Sequence, residues 1–266
     1  MSIQHRCMIC GSFSKSLLVL ERHPQPKIEV QQCDECSFTF VLDPHWLEGS
    51  FREKLNRFDV GSADRSLMIA AFVRSLVRRR SLSTTSVLDF GGGDGLSTRV
   101  LRDHGVDCRW EDPFCEPVFC VGPSSDDVRH FDLAFMGEVA LHLVDPMPVF
   151  RGLLQRSGRV LFTAVVPPAH IETDWWYLMP ETGQHVAFFP IRTLRHMAKS
   201  MSAHLLTDGR FFHQFSTKRP SLLERVLFRF PAIAILRGKL IEVSDLGRRA
   251  IGRGVGLTEL DQSRVV

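Results

Sequence analysis

The sequence predicts a doubly wound α/β domain that carries a small N-terminal zinc ribbon. The main observation is residues 87–95, where a short apolar strand meets an acidic residue, a glycine loop and a helix-like run. Apolar strands and helical segments then alternate as far as residue 216, and this alternation is typical of a parallel sheet with helices on both faces. Such a sheet presents a nucleotide-sized ligand at the carboxyl edge of its strands.

Composition narrows the class of protein. The chain has 266 residues, of which 44% are hydrophobic and 24% charged, as expected for a globular protein with one large domain plus attachments. A net charge of +3 is far from the basic excess of a dedicated nucleic-acid binder. No run approaches the ~18 consecutive apolar residues of a membrane span. We therefore expect a cytoplasmic protein, in whose reducing surroundings the seven cysteines need a role other than disulfides.

Residues 1–42 supply that role. Cys7 and Cys10 form one C-x2-C pair, and Cys33 and Cys36 form a second. Each pair can make a tight turn, and two such turns close a tetrahedral zinc site. Two β-rich runs around residues 23–26 predict the hairpin of a zinc ribbon. Four thiolates leave no open coordination position, so the predicted zinc is structural; free structural thiols or redox pairs are the less favoured alternative.

Residues 43–80 are predicted to form a linker followed by a helix. Trp46, Phe51 and Phe58 are irregularly spaced, so this segment is either a lid over the ligand or simple surface packing. From Asp64 the pattern becomes helical, with the apolar positions on one face: Ile69, Phe72, Val73, Leu76 and Val77.

The glycine loop is the most informative motif. Gly91, Gly93 and Gly95 allow positive φ and let a ligand approach the backbone closely. A dinucleotide fingerprint would require a further glycine where Leu96 stands. Asp89 precedes the first glycine by two residues, which suits a cationic ligand group.

This loop resembles motif I of the class I S-adenosylmethionine (SAM) methyltransferases, D/E-x-G-x-G-x-G, at all four defined positions. The resemblance implies a Rossmann-like, seven-stranded sheet in a core of residues 81–217. It also implies that Asp89 and the three glycines contact SAM.

An acid at the end of the second strand is the next expected cofactor ligand. Residues 106–110 are predicted as that strand, and Glu111 and Asp112 follow or end it. A carboxylate there can accept hydrogen bonds from both ribose hydroxyls. Asp112, which precedes a proline, fits the family pattern better, and Glu111 is the alternative.

The predicted fourth strand, residues 131–136, runs into a second family segment. Glu138, Val139 and His142 match the E-V-(apolar)-E-H pattern of these methyltransferases, whereas Leu141 replaces the second acid. The resemblance implies that Glu138 contributes to the cofactor site.

Residues 174–189 form an aromatic loop after the fifth strand. Trp175, Trp176 and Tyr177 lie close in sequence to Gln184 and His185, and loops that combine rings with a few polar groups commonly bind ligands. We predict an acceptor site here; an aromatic corner of the core is the alternative. The loop resembles the W-W-Y…P-E-x-G-Q-H segment of methyltransferases encoded with sugar and polysaccharide biosynthesis enzymes, which often carry the same ribbon. Ribbon-bearing deoxysugar C-methyltransferases are a neighbouring group.

These observations predict SAM-dependent methyl transfer to a small-molecule acceptor, a sugar or nucleotide-sugar hydroxyl or carbon. Histidine titrates near neutral pH, so His185 is the first candidate base and His142 the second. An RNA methyltransferase is an alternative, disfavoured by the lack of an Asn-Pro-Pro-Tyr-type motif. A non-catalytic scaffold is another, motivated by Leu141. The sequence fixes neither the acceptor atom nor the oligomeric state.

Residues 218–266 form a basic appendage, in which ten Lys and Arg residues minus five Asp and Glu residues give +5. This segment either receives an anionic group such as a nucleotide diphosphate or forms solvated helices packed on the domain.

Overall fold

A computed structural model describes most of the chain. The backbone is described for residues 5–21, 27–51, 61–77, 85–120 and 130–250, and the side chains for all of these except 242 and 244–250. Residues 251–266 of the basic appendage lie outside this part.

The core is a six-stranded mixed sheet in the order β10–β11–β8–β7–β5–β6. The strands that position the site, β6, β5, β7 and β8, are parallel to one another, and β11 and β10 close the sheet antiparallel. Their bounds are β5 (Ser86–Phe90), β6 (Asp107–Glu111), β7 (Leu133–Met136), β8 (Arg159–Thr163), β10 (His204–Thr207) and β11 (Phe212–Ser216). Parallel strands end at one edge of the sheet, so the residues after β5, β6 and β7 meet there.

The N-terminal segment forms a second, antiparallel sheet of five strands in the order β1–β2–β3–β4–β9. Its strands are β1 (His5–Arg6), β2 (Phe13–Leu20), β3 (Ile28–Cys33), β4 (Thr39–Val41) and β9 (Ala187–Phe188). The last strand comes from the aromatic loop region, so the ribbon and the core share a sheet. The rings of Phe38 and Phe189, 5.4 Å apart between centroids, extend that contact.

Seven α-helices flank the sheets in the described residues. They are α1 (Leu47–Ser50), α2 (Ser62–Val77), α3 (Leu96–Asp103), α4 (Pro146–Ser157), α5 (Ile191–Ser200), α6 (Leu222–Arg229) and α7 (Pro231–Ala250). Short 3-10 turns cover Ala140–His142 and Trp176–Leu178. No described helix is long and apolar enough to cross a membrane.

The α2–α7 crossing is unusually close. A Cβ atom added to Gly238 of α7 would collide with the backbone carbonyl of Ala71 in α2. Ala70 and Ala234 are also fully buried in this part of the molecule. Small side chains therefore let α7 pack directly on the backbone of α2 and through it on the core.

The α/β class predicted from the sequence is confirmed, with two differences. The sheet has six strands within the described residues rather than seven, and residues 121–129, between β6 and β7, lie outside them. Helix α2 begins at Ser62, two residues before the predicted start, and its five predicted apolar positions are all buried. The division into ribbon, linker, core and appendage stays a prediction.

Candidate functional site

The glycine loop follows β5 and is packed tightly on two sides. Gly91, Gly93 and Gly95 all have positive φ, at 71°, 55° and 82°. A Cβ on Gly91 would approach Val139 Cγ2 to 2.5 Å, and one on Gly95 would collide with the Cys120 thiol. A Cβ on Gly93 would meet no atom within 4 Å. Gly91 and Gly95, at the two ends of the loop, therefore pack closely against the rest of the protein. Gly93, between them, faces open space, where a ligand can approach.

Asp89 lies beneath this loop in β5, which is the strand next to the edge strand β6. It is 2% exposed, and its Oδ2 accepts a 2.8 Å hydrogen bond from the Thr98 hydroxyl of α3. Burial, with a smaller contribution from the neighbouring carboxylates of Asp112 and Asp94, raises the pKa of Asp89 to about 7. A buried carboxylate of this kind is stabilised in its ionised form by a nearby cation.

Asp112 and Glu111 have different environments. Asp112 Oδ2 accepts a 2.9 Å hydrogen bond from the Gly93 amide, and Oδ1 accepts from the amides of Phe114 and Cys115. Glu111, the last residue of β6, forms a bidentate ion pair with Arg156 of α4, with the shorter N–O distance 2.8 Å. The Asp112 carboxylate thus contacts the glycine loop, whereas the Glu111 carboxylate is held by α4 and only the Glu111 carbonyl contacts the loop.

Glu138 joins three segments of the sheet edge. Its Oε2 accepts a 2.7 Å hydrogen bond from the Tyr177 hydroxyl, and its amide donates to Thr163 Oγ1 at the end of β8. Its φ is 58°, a left-handed conformation uncommon for a residue with a side chain. These contacts fix the carboxylate beside the Gly91–Val139 contact.

The two candidate bases lie side by side. The rings of His142 and His185 are 5.5 Å apart between centroids. His185 Nδ1 is 2.6 Å from the Tyr177 carbonyl, and His142 Nδ1 is 2.8 Å from the Gln184 carbonyl. A carbonyl only accepts, so in both rings Nδ1 carries the hydrogen. In a neutral ring of this tautomer Nε2 is an acceptor.

The charge state of His185 follows from its surroundings. Burial, with a smaller contribution from the neighbouring His142, lowers the pKa of His185 to about 3. His185 is therefore neutral at physiological pH in the free protein, with Nε2 available to accept a hydrogen bond from an acceptor hydroxyl.

The linker lies across the aromatic loop. The Trp46 indole donates a 3.0 Å hydrogen bond to the Gly183 carbonyl, and the Gln184 side-chain amide donates at 2.8 Å to the Ser50 carbonyl. The ring of Phe51 is 5.2 Å from that of Phe114 and 5.3 Å from that of His142. One linker side chain thus contacts both the turn held by Asp112 and the histidine pair.

The predicted aromatic plates differ in exposure. Tyr177 is buried, Trp175 is partly buried and packs on Phe188, and Trp176 is 67% exposed. The Gln184 side chain is bonded to the linker. Among the predicted acceptor residues, Trp176 therefore presents the most surface to solvent.

The four ribbon cysteines converge. Their sulfur atoms all lie within 4.8 Å of one another, and a tetrahedral Zn site with bonds of about 2.3 Å has edges of similar length. The two knuckles are alike, because Gly11 and Ser37, each following the second cysteine of a pair, both have positive φ (74° and 63°). A hydrogen bond with the Cys36 thiol lowers the pKa of Cys7 to about 5. The donor set fits a structural zinc ion.

Several residues of the site lack a sequence signal that would find them from one chain. Thr98, Trp110 and Arg156 support Asp89, Gly93 and Glu111 respectively. Trp110 Nε1 donates a 3.2 Å hydrogen bond to the Gly93 carbonyl. Thr98 and Trp110 are at least close in sequence to the loop, whereas Arg156 lies 45 residues after Glu111.

Comparison with known proteins identifies the class. The methyltransferase-domain family matches residues 60–228, which is more than half of the chain. The chain therefore belongs to the methyltransferase-domain family, whose members are SAM-dependent enzymes. No curated protein matches the chain significantly.

Solved structures with similar folds include three methyltransferases. A SAM-dependent methyltransferase from Thermotoga maritima, a possible histamine N-methyltransferase, is 12% identical, with 65% of this chain and 100% of that chain covered and a TM-score of 0.45. The mitomycin 7-O-methyltransferase MmcR is 14% identical (58% and 54% covered, TM-score 0.43). The calicheamicin-biosynthesis methyltransferase, solved in its SAH-bound form, is 14% identical (59% and 54%, TM-score 0.43). The chain spans just over half the length of these last two enzymes.

Proposed function

We propose that this protein transfers the methyl group of SAM to a small-molecule acceptor, a sugar or nucleotide-sugar hydroxyl or carbon. The observation that carries the proposal is the contact of Phe51 with both Phe114 and His142. Through Phe51 the turn held by Asp112 and the histidine pair lie close to each other, so a cofactor bound at the glycine loop would lie near the histidines. A methyl donor and its acceptor must meet in such an arrangement, with water excluded.

The cofactor half of the site fits SAM. Open space beside Gly93 admits the ligand to the backbone, and Asp112 at the end of β6 can accept hydrogen bonds from ribose hydroxyls. Asp89 provides negative charge beneath the loop for the cationic methionine end. Glu138, fixed by Tyr177 and Thr163, completes the set. SAM supplies an electrophilic methyl group, and these residues bind and orient it.

The acceptor half is built from the histidine pair and the aromatic loop. The neutral His185 ring presents Nε2, which can accept a hydrogen bond from a hydroxyl, His142 lies beside it, and Trp176 offers an exposed ring for a sugar face. His185 is the first candidate to take the proton and His142 the second. Arg65 is near enough to act on both His185 and Tyr177, and one cation beside aromatic rings suits a small polar molecule better than an RNA backbone, whose recognition depends on several Lys and Arg residues.

The cysteine cluster is proposed to hold one structural zinc ion through Cys7, Cys10, Cys33 and Cys36. Its role is to fix the β1–β2 and β3–β4 turns so that the ribbon can pair with β9. The Thr193 hydroxyl of α5 donates a 2.8 Å hydrogen bond to the Cys36 carbonyl, which ties the metal turn to the core.

The decisive experiment separates the enzyme from its alternatives. Isothermal titration calorimetry with SAM tests the cofactor site, and labelled SAM incubated with a nucleotide-sugar panel and, separately, with RNA tests the acceptor class. Methylation of a nucleotide sugar but not of RNA supports the proposal. Transfer to RNA alone supports the alternative enzyme, and absence of SAM binding supports a non-catalytic scaffold.

A further inference from the structure

The outer face of α7 carries an apolar stripe. Ile233, Leu236, Leu240 and Val243 are 51%, 59%, 61% and 69% exposed. Their spacing of three, four and three residues places them on one side of the helix. Phe230, at the turn into α7, is a further large apolar residue that is 52% exposed.

This stripe is not the face that attaches the helix to the domain. Ala234, Gly238 and Ile241 are the buried positions of α7, and Gly238 lies against the backbone of Ala71 in α2. The attachment and the stripe occupy opposite sides of the helix, so α7 carries apolar residues on its outward side as well as on its buried side. Contiguous exposed apolar surface of this kind marks an interaction site.

The charges beside the stripe are mostly basic. Arg225 and Arg229 of α6 and Lys239 of α7 are exposed, and Arg237 is partly exposed. By sequence the two helices hold six Lys and Arg residues against three acids, of which Glu242 and Asp245 of α7 have side chains outside the described ones and the third is Glu224 of α6. Its carboxylate is already bonded to Ser221 in a capping box and paired with Arg159.

Apolar side chains flanked by Lys and Arg are the composition of a helix that lies in the interface of an anionic bilayer. A second copy of the chain is the less suitable occupant, because it would bring two basic helices together. We propose that the α7 stripe docks this protein on a lipid surface with anionic headgroups. The leucines enter the headgroup–acyl boundary, and Arg237, Lys239 and the α6 arginines contact the headgroups. This proposal does not depend on the identity of the methyl acceptor.

The test is co-sedimentation of the full-length protein with vesicles. One set contains phosphatidylglycerol mixed with phosphatidylcholine, and the other contains phosphatidylcholine alone. We expect the protein to pellet with the anionic set and to be released as salt is raised, because the headgroup attraction is screened. Wild-type protein that stays in the supernatant with the anionic set overturns the proposal.

Two variants identify the surface. Leu236→Asn with Leu240→Asn should lower the partition coefficient by at least about tenfold per leucine, the effect expected for losing a buried leucine side chain. Arg237→Gln with Lys239→Gln should lower binding to the anionic set while leaving any weak binding to phosphatidylcholine unchanged. The matched control is Val19→Asn, at a ribbon position 46% exposed, which should bind like wild type.

Three further measurements test the stability of the variants, the assignment of binding to α7 and the identity of the occupant. Unchanged unfolding midpoints are expected for the stripe variants, because their side chains do not face α2. A Val19→Asn variant that loses as much binding as the leucine pair overturns the assignment to α7. Light scattering that finds a lipid-free dimer, dissociated by the leucine substitutions, overturns it in favour of a second copy as the occupant.

Discussion

The hydroxyl of Tyr177 donates a 2.7 Å hydrogen bond to Glu138, and the Val165 amide lies 3.2 Å from the same hydroxyl. Burial raises the pKa of Tyr177 well above its usual value, and the Glu138 carboxylate raises it further, so the phenol remains a neutral donor. This contact joins the segment after β7 to the aromatic loop. The Tyr177 hydroxyl therefore positions the Glu138 carboxylate, and the Tyr177 carbonyl positions the His185 ring.

Asp112 is expected to be the ribose acid of the site. Asp112→Ala should weaken SAM binding about ten- to a hundredfold, because charge-assisted hydrogen bonds contribute roughly 1.5–3 kcal/mol. Calorimetry measures the change. Glu111→Gln is the matched control, since Glu111 is paired with Arg156 and should leave the dissociation constant nearly unchanged. The reverse ranking of the two variants would assign the ribose to Glu111.

SAM affinity should depend on pH through Asp89. Its pKa in the free protein is about 7 and a cationic ligand favours the ionised form, so affinity should fall by up to about tenfold per unit as pH drops below 7. Asp89→Asn should bind SAM more weakly at pH 8 and show a flatter pH profile. Calorimetry across this range checks both.

Asp89 also gives a stability prediction with a definite sign. The folded pKa of about 7 exceeds the ordinary value of 3.8, so the folded state binds more protons between these values. The free energy of unfolding should therefore decrease as pH rises from 4 to 7, relative to Asp89→Asn. Denaturant titrations of both proteins at matched pH values measure this difference. Parallel pH profiles would mean that the Asp89 carboxyl is already ionised in the free protein.

His185 is expected to act on the acceptor and not on the cofactor. His185→Ala should leave SAM affinity nearly intact while turnover falls by ~10²–10⁴, the usual contribution of a general base. His185→Gln keeps a hydrogen-bonding group without a titratable nitrogen, so activity retained in Gln but lost in Ala indicates positioning. The pKa of about 3 for His185 in the free protein favours the positioning role. Normal turnover in both variants would exclude His185 and direct the same test to His142.

Zinc should support the ribbon more than the cofactor site. Cys36→Ser is expected to lose the metal, measured by elemental analysis of protein purified without chelator, and to increase hydrogen exchange in residues 27–42 first. Because Cys36 is bonded through Thr193 to α5, the unfolding midpoint of the whole protein should also fall. SAM affinity below that midpoint should change little. Cys115→Ser, outside the cluster, is the control and should retain the metal; wild-type protein without zinc would contradict the proposal.

The α2–α7 crossing should be sensitive to a single methyl group. Gly238→Ala places Cβ against the Ala71 carbonyl and should lower the free energy of unfolding by about 1–3 kcal/mol, the usual cost of overpacking. Gly152→Ala in α4 meets no atom within 4 Å and should be neutral or stabilising by up to ~1 kcal/mol, since alanine favours helix over glycine. Denaturant titration compares the two, and equal effects would contradict the close crossing.

Local patterns made the cofactor loop and the metal turns predictable. A strand, an acid and three spaced glycines are consecutive in sequence, and the backbone conformations they require are local. The same holds for the C-x2-C pairs, whose turns both end in a residue with positive φ. The geometry of the glycine loop and of the two cysteine turns can be predicted because each depends on residues that are close together in sequence.

Tertiary structure decided which side chains meet. Glu111 and Asp112 are adjacent in sequence, yet their carboxylates have different partners, because Glu111 ends β6 and Asp112 begins the turn after it. Arg156 of α4 then pairs with Glu111 and leaves Asp112 to the loop. The pairing of β4 with β9 and the contact of Trp46 with Gly183 likewise join segments more than a hundred residues apart. Contacts of that range depend on how the sheets and helices pack, so only the tertiary structure determines them.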